Sequence, residues 1–137
     1  MAGYSGTPLP KKLGIKDKFR VFLDGAPSDV LAELKASLSQ CELLKSAKAP
    51  VDFAMIFVKS QSECKTHFAS AAKHLATAGM LWVSWPKKAS GIATDLNEND
   101  VRRIGLDVGL VDIKVCAVNE TWSGLKFVIP VAKRMAR

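Results

Sequence analysis

The segment Asp52 to Val58 (D-F-A-M-I-F-V) constrains this chain more than any other. It is a nearly continuous apolar run of strand length, with no polar residue every second position. An amphipathic strand on an exposed sheet would alternate, whereas a strand covered on both faces need not. Met80 to Trp85 (M-L-W-V-S-W), closed by Pro86, repeats the pattern. Two such strands imply a parallel sheet with helices on both sides, and the intervening residues supply one of the helices. Ser60 and Glu63 fit a capping box, and Cys64, Phe68, Ala71 and Leu75 recur at helical spacing. Gly79 is expected as the residue that ends this helix.

The remaining elements fit the same scheme. Phe19 to Asp24 (F-R-V-F-L-D) reads as a first strand, broken by Gly25-Ala26-Pro27. Ser28 is expected to cap a helix with Leu31, Leu34 and Leu38 on its buried face. Cys41 to Leu44 is a short strand candidate. Asn97 can cap a helix whose apolar face is Val101, Ile104 and Val108, with Leu96 and Val101 as a hydrophobic staple, and Gly109 ends it. Leu110 to Val118 alternates as a half-covered strand would. Asn119 to Gly124 turns the chain into a last strand, Leu125 to Ala132, which Pro130 places at a sheet edge. The expected fold is therefore a single three-layer α/β domain over residues 19–132, with a mostly parallel Rossmann-like sheet and an antiparallel last strand. Residues 1–18 read as an extended arm, because Pro8 and Pro10 argue against a helix, and residues 133–137 as a basic tail.

Composition narrows the function classes. The 137 residues are 48% hydrophobic and 24% charged, which excludes a disordered chain, a coiled coil and a membrane span. Three cysteines, at 41, 64 and 116, form no C-x-x-C and no metal-spaced cluster with the two histidines, so no metal site is expected. With no apolar run in residues 1–15, the chain reads as cytoplasmic. Twenty Lys+Arg against 13 Asp+Glu give a formal charge of +7, which bears on partners rather than on fold. The basic residues are scattered, so a nucleic-acid arm is not written plainly.

In an open parallel sheet, ligands bind outside the carboxyl ends of the strands. Four connections should meet there: Gly25–Pro27, Lys59–Ser60, Trp85 to Asp95, and Asn119–Ser123. The candidate ligand-binding residues are Trp85, Lys87, Lys88, Ser90, Thr94, Asn119, Glu120 and Trp122, with Lys59, Asp95 and Ser123 beside them. Lys87 and Lys88, set among small residues, could hold a phosphate or carboxylate by charge and by backbone N–H groups. No G-x-x-x-x-G-K-[ST] is present. Trp122 is either a lid on the core or a platform for a ring. Glu120 would serve as a general base if partly buried. His67 and His74, seven residues apart on one helix, read as polar surface too far apart for joint ligation. No G-x-S-x-G elbow occurs. The N-terminal stretch, with Tyr4, Ser5, Thr7, Lys11 and Lys12, is expected to pack across the domain and close over the same edge.

Three strings carry a resemblance: G-Y-S-G-T-P-L-P-K-K-L-G-I-K at 3–16, L-W-V-S-W-P-K-K-A-S-G at 81–91, and G-L-V-D-I-K-V-C-A-V-N-E-T-W-S-G-L-K at 109–126. They resemble a family of small bacterial proteins catalogued only as a domain of unknown function. The order of elements also resembles the later half of the Rossmann-like methyltransferases. That likeness implies S-adenosylmethionine held over a glycine-rich loop after the first strand, with an acidic residue ending the second. The corresponding positions here are Asp24–Pro27, which has one glycine, and Glu42.

The sequence thus leaves three functions open and names no cofactor. The first is a non-catalytic or accessory domain that binds an anionic small molecule or a protein partner at the carboxyl edge. The second is a minimal S-adenosylmethionine-dependent methyltransferase. The third is nucleic-acid binding driven by net charge. An edge strand at Leu125–Ala132 could also pair two copies into a homodimer.

Overall fold

A computed structural model describes residues 7–48 and 50–134. The sheet has six strands: β1 (Arg20–Asp24), β2 (Glu42–Leu43), β3 (Val51–Phe57), β4 (Leu75–Pro86), β5 (Val111–Ala117) and β6 (Trp122–Val128). Their spatial order is β2-β1-β3-β4-β6-β5. The first four are parallel, and β6 runs antiparallel to both of its neighbours. The helices are α1 (Leu9–Leu13), α2 (Ser28–Leu38), α3 (Gln61–Lys73), α4 (Glu98–Val108) and α5 (Val131–Arg134).

The two apolar runs become the two central strands, and each supplies both faces of the sheet. On β3, Ala54, Ile56 and Val58 face one side, while Phe53 and Met55 face the other. On β4, Leu81, Val83 and Trp85 share the first side and Trp82 the second. The first side is covered by Cys64, Phe68 and Ala71 of α3 and by Val101 and Ile104 of α4. The second is covered by Leu9 and Leu13 of α1 and by Val30, Leu34 and Leu38 of α2. The expected three layers, with an antiparallel strand closing a mostly parallel sheet, are what the chain builds.

Several local expectations fail for identifiable reasons. Residues 1–18 are not a purely extended arm: Leu9–Leu13 is helical, with Pro10 in the first turn, where a missing N–H costs nothing. Ser28 is the first helical residue of α2 rather than its cap; Pro27 holds the N-cap position with no side-chain bond. Val30 takes the buried place expected for Leu31, which is 40% exposed. Helix α3 stops at His74, and Gly79 lies inside β4, not at a helix end. There the pairing jumps from Val51↔Leu75 to Phe53↔Met80, so β4 bulges, and a Cβ on Gly79 would sit 2.7 Å from the Val51 carbonyl oxygen. Val108 is exposed. The last strand is also not an edge. β6 ends at Val128 and is flanked by β4 and β5, and Pro130 lies beyond it, so β5 forms that edge. Val131–Arg134, expected as the end of the last strand and the start of the basic tail, form α5.

The capping signals are realised. Ser60 Oγ accepts from Glu63 N at 3.1 Å, and Asn97 Oδ1 accepts from Asp100 N at 2.9 Å. Helix α4 is held to the sheet through Arg102, which donates to Asp112 at 2.9 Å and to Glu98 at 2.6 Å. Its closest approach is at Gly105, where a Cβ would fall 2.1 Å from the Phe127 ring. That ring is fully buried and packs edge-on against Phe68 at 5.0 Å, so it has nowhere to go. Gly105→Ala should therefore destabilise the protein by about 3 kcal/mol, the upper range for overpacking. A denaturant midpoint within experimental error of the wild type's would contradict this packing.

Candidate functional site

The carboxyl edge of the sheet gathers the turn after β1, the Val58–Ser60 turn after β3, the long connection from β4 to α4, and the β5–β6 hairpin. The sheet then divides these groups between its two sides, which the sequence did not anticipate.

On the side of α3 and α4 lies a cavity of ≈ 560 Å³, walled by Trp85, Pro86, Lys87, Lys88, Thr94, Asp95, Leu96, Asn97, Glu98 and Ser123. Its floor is apolar, with Trp85 and Leu96 both buried. Its frame is tied internally. Thr94 Oγ1 donates to the Lys59 carbonyl at 2.6 Å and accepts from Leu96 N at 3.1 Å. Asp95 Oδ1 accepts from Gln61 N at 2.7 Å, pinning the connection to the start of α3. Glu98 is engaged by Arg102, and Asn97 caps α4. Both carboxylates of the wall thus have protein partners. Neither Lys87 nor Lys88 makes a side-chain hydrogen bond or ion pair with any described residue; the Lys87 backbone is engaged, its N–H donating to Thr121 O at 2.8 Å and its carbonyl accepting from Ser90 N at 3.0 Å. The cavity thus sets two ammonium groups, without a side-chain partner among the described residues, over an apolar floor.

The hairpin residues turn to structure instead. Asn119 is 7% exposed and shapes the turn: its Oδ1 accepts from Thr121 N at 2.9 Å and Trp122 N at 2.8 Å. Its Nδ2 donates to Asp29 Oδ2 at 3.1 Å, joining the hairpin to α2. Trp122 is the core lid rather than a platform, buried and edge-on to Phe57 at 5.2 Å. Glu120 is exposed, so the burial that a general base needs is missing. Ser90 accepts from Ile92 N at 3.1 Å and shapes its own turn outside the cavity wall. Of the eight candidates, Trp85, Lys87, Lys88 and Thr94 meet in one place. Tyr4 and Ser5 lie outside the described residues.

One pair was missed. His67 Nδ1 lies 2.5 Å from Asp24 Oδ2, tying α3 to the end of β1. The signal was present, since His67 stands three residues after Cys64 and one before Phe68, on the inner flank of α3. His74 instead caps the far end of that helix, at the amino edge. Among the described residues no three His, Cys, Asp or Glu side chains group as a metal site. Burial pushes the Cys64 thiol up to about 11, which makes it inert.

No protein-family model matches the chain and no curated protein is significantly similar to it, so the resemblance to a domain-of-unknown-function family rests on the sequence strings alone. Solved structures do resemble it. A putative type 11 methyltransferase from Sulfolobus solfataricus is 18% identical over 90% of each chain, with a TM-score of 0.56. A SAM-dependent methyltransferase from Aquifex aeolicus is 16% identical, covering 88% of this chain and 87% of that one, with a TM-score of 0.58. Magnesium protoporphyrin IX methyltransferase from Synechocystis PCC 6803, with bound SAH, is 12% identical over 89% of this chain and 78% of its own, also at 0.58. This chain has the methyltransferase fold.

The residues that the methyltransferase resemblance would assign to the cofactor do not fit it. Gly25 adopts φ 77°, but a Cβ there would meet the Phe57 carbonyl oxygen at 3.2 Å, so this glycine serves the chain's own turn and opens no cradle. Pro27 follows at once. β2 has two residues, and Glu42 is exposed at its start while Leu43 ends it. Asn119→Ala should leave Trp122 N and Thr121 N without an acceptor and destabilise the protein by about 1–3 kcal/mol. Urea unfolding with no loss would show that the turn is held by other means.

Proposed function

We propose that this protein binds an anionic small molecule with a flat apolar portion, such as a mononucleotide, at the carboxyl edge of its sheet, without catalysing a reaction on it. The observation that carries this reading is the cavity beside Trp85. Its two carboxylates are engaged within the protein and its two lysines are not. Lys87 and Lys88 would take the anion, Thr94 and Ser123 would offer hydrogen bonds, and Trp85 the apolar wall.

A second reading, methyl transfer from S-adenosylmethionine, has the comparisons on its side. Solved structures of this fold include methyltransferases with bound SAH or SAM, which speak for that class more directly than for an accessory role. Against it stand the single glycine and the two-residue β2. The same titrations decide between the readings. A ligand that binds only the folded state stabilises it by mass action, by about 2.7 kcal/mol at a hundredfold excess over Kd. Calorimetric titration with AMP, inorganic phosphate and S-adenosylhomocysteine is the test. The proposal expects saturable AMP binding, at least tenfold weaker in Lys87→Ala/Lys88→Ala, with the variant's own melting temperature unchanged. Binding of S-adenosylhomocysteine that is indifferent to both lysines would replace it with the methyltransferase reading.

A further inference from the structure

A second cluster of lysines lies on the opposite side of the sheet, away from the cavity. Lys114 on β5 and Lys126 on β6 are direct cross-strand partners. Lys126 also pairs with Trp82, whose side chain faces α1, so both ammonium groups emerge on that side. Like charges placed opposite one another on adjacent strands are destabilising. The chain adds more of the same sign. Lys114 Nζ donates to the Lys12 carbonyl at 2.9 Å, and Lys12 Nζ donates to the Ala117 carbonyl at 2.9 Å. Lys16 follows α1 closely enough that its charge, with that of Lys114, adds to burial in lowering the affinity of Lys126 for its proton. Lys12, Lys114 and, more weakly, Lys87 likewise pull down the Cys116 thiol against the burial that raises it, so the charge of Lys87 is also felt on this side of the sheet.

No carboxylate pairs with Lys16, Lys114 or Lys126 among the described residues. The ion pairs of the described residues engage Arg20, His67, Arg102 and Arg103. Asp17, next to Lys16 in sequence, is exposed and forms no ion pair with these lysines. Lys126 is half-buried, beside Gly14, and its ammonium has no partner among the described residues. A half-buried unpaired lysine facing a second lysine is a cost that any apolar residue at 126 would remove. That cost is recovered only when several negative charges occupy the face together. Among the described residues no exposed aromatic side chain stands beside these lysines for bases to stack on, so the chemistry argued for is the phosphate chain itself.

We propose that Lys16, Lys114 and Lys126, between α1 and the β5–β6 hairpin, form a binding site for a linear oligophosphate. The site is separate from the cavity at Lys87 and Lys88, and it stands whether or not that cavity binds a nucleotide. The shared chemistry is a run of phosphates, which a free oligophosphate or the tail of a nucleoside triphosphate could supply.

The test is calorimetric titration at low salt with sodium tripolyphosphate, ATP and a twelve-base-pair DNA duplex as probes. It uses the wild type, Lys114→Gln/Lys126→Met and Lys87→Ala/Lys88→Ala. The expected result is saturable tripolyphosphate binding, at least tenfold weaker in Lys114→Gln/Lys126→Met and within twofold of wild type in Lys87→Ala/Lys88→Ala. ATP binding with the same dependence names the nucleotide as the source, and its absence names the free oligophosphate. The Lys114→Gln/Lys126→Met protein should melt at or above the wild-type temperature, because it loses a like-charge pair. Should that variant fail to fold, amide shifts of the wild type on adding tripolyphosphate decide the matter. Shifts at residues 12–16, 114 and 126 support the site, and shifts confined to residues 87–97 overturn it. It is equally overturned if tripolyphosphate does not bind, if only Lys87→Ala/Lys88→Ala loses binding, or if the duplex binds through these lysines while tripolyphosphate does not.

Discussion

The hydrogen bond from the Trp82 indole nitrogen to the Leu13 carbonyl, 2.9 Å long and fully buried, ties the N-terminal segment to the centre of the sheet. Trp82 is the largest side chain with no exposure, and it sits at the middle of β4. A buried indole N–H left unpaired would cost about 1–3 kcal/mol, so the fold needs an acceptor there. No neighbouring strand can supply one, because the sheet carbonyls are spent on their own ladder. The N-terminal segment brings it, and in doing so lays Leu9 and Leu13 into the same apolar layer as Val30, Leu34 and Leu38 of α2. Gly124 on the facing strand leaves room for the ring: a Cβ there would stand 3.2 Å from it. Helix α1 is therefore part of the core, although it is only five residues long and has a proline in its first turn.

That contact also shows where sequence reading stops. The two central strands were legible because burial on both faces removes the alternation that would otherwise mark a strand, and Asp52–Val58 and Met80–Trp85 carry that signature openly. The caps at Ser60 and Asn97 were legible because their bonds span three residues. Residue 9 reaching residue 82's neighbourhood was not legible, since nothing local encodes a contact between an N-terminal turn and a distant strand. The same holds for the order of the last two strands. Pro130 suggested an edge, but β6 stops two residues earlier, and the hairpin inserts it between β4 and β5.

The candidate site was legible by position and not by role. All four connections follow parallel strands, as the topology rule requires, yet residues of similar chemistry go different ways once side chains are placed. Asn119 spends its whole amide on two backbone N–H groups and Asp29. Thr94 spends its hydroxyl on Lys59 and Leu96 but still lines the cavity. His67, read as surface, finds Asp24. What separates a binding residue from a structural one here is whether the protein has already used its hydrogen-bonding capacity. That is a property of contacts distant in sequence.

The same test sorts the positive charge. Arginine in this chain is a fastener: Arg102 bridges two carboxylates and holds α4 to β5, Arg20 meets Asp52, and Arg103 meets Asp100. The forked guanidinium suits that work, and burying part of it is repaid in fixed geometry. Lysine is used differently. Lys87 and Lys88 border a cavity whose acids are already engaged, and Lys114 and Lys126 face each other across a hairpin. A chain with a formal charge of +7 has too few carboxylates to neutralise every cation. The arginine and histidine pairs take several of them, and among the lysines left over two groups stand on opposite sides of one sheet. Strands β4 and β6 lie between those patches, yet Lys87 acts on the Cys116 thiol together with Lys12 and Lys114, so the two sets of lysines are divided by the sheet and still share a field.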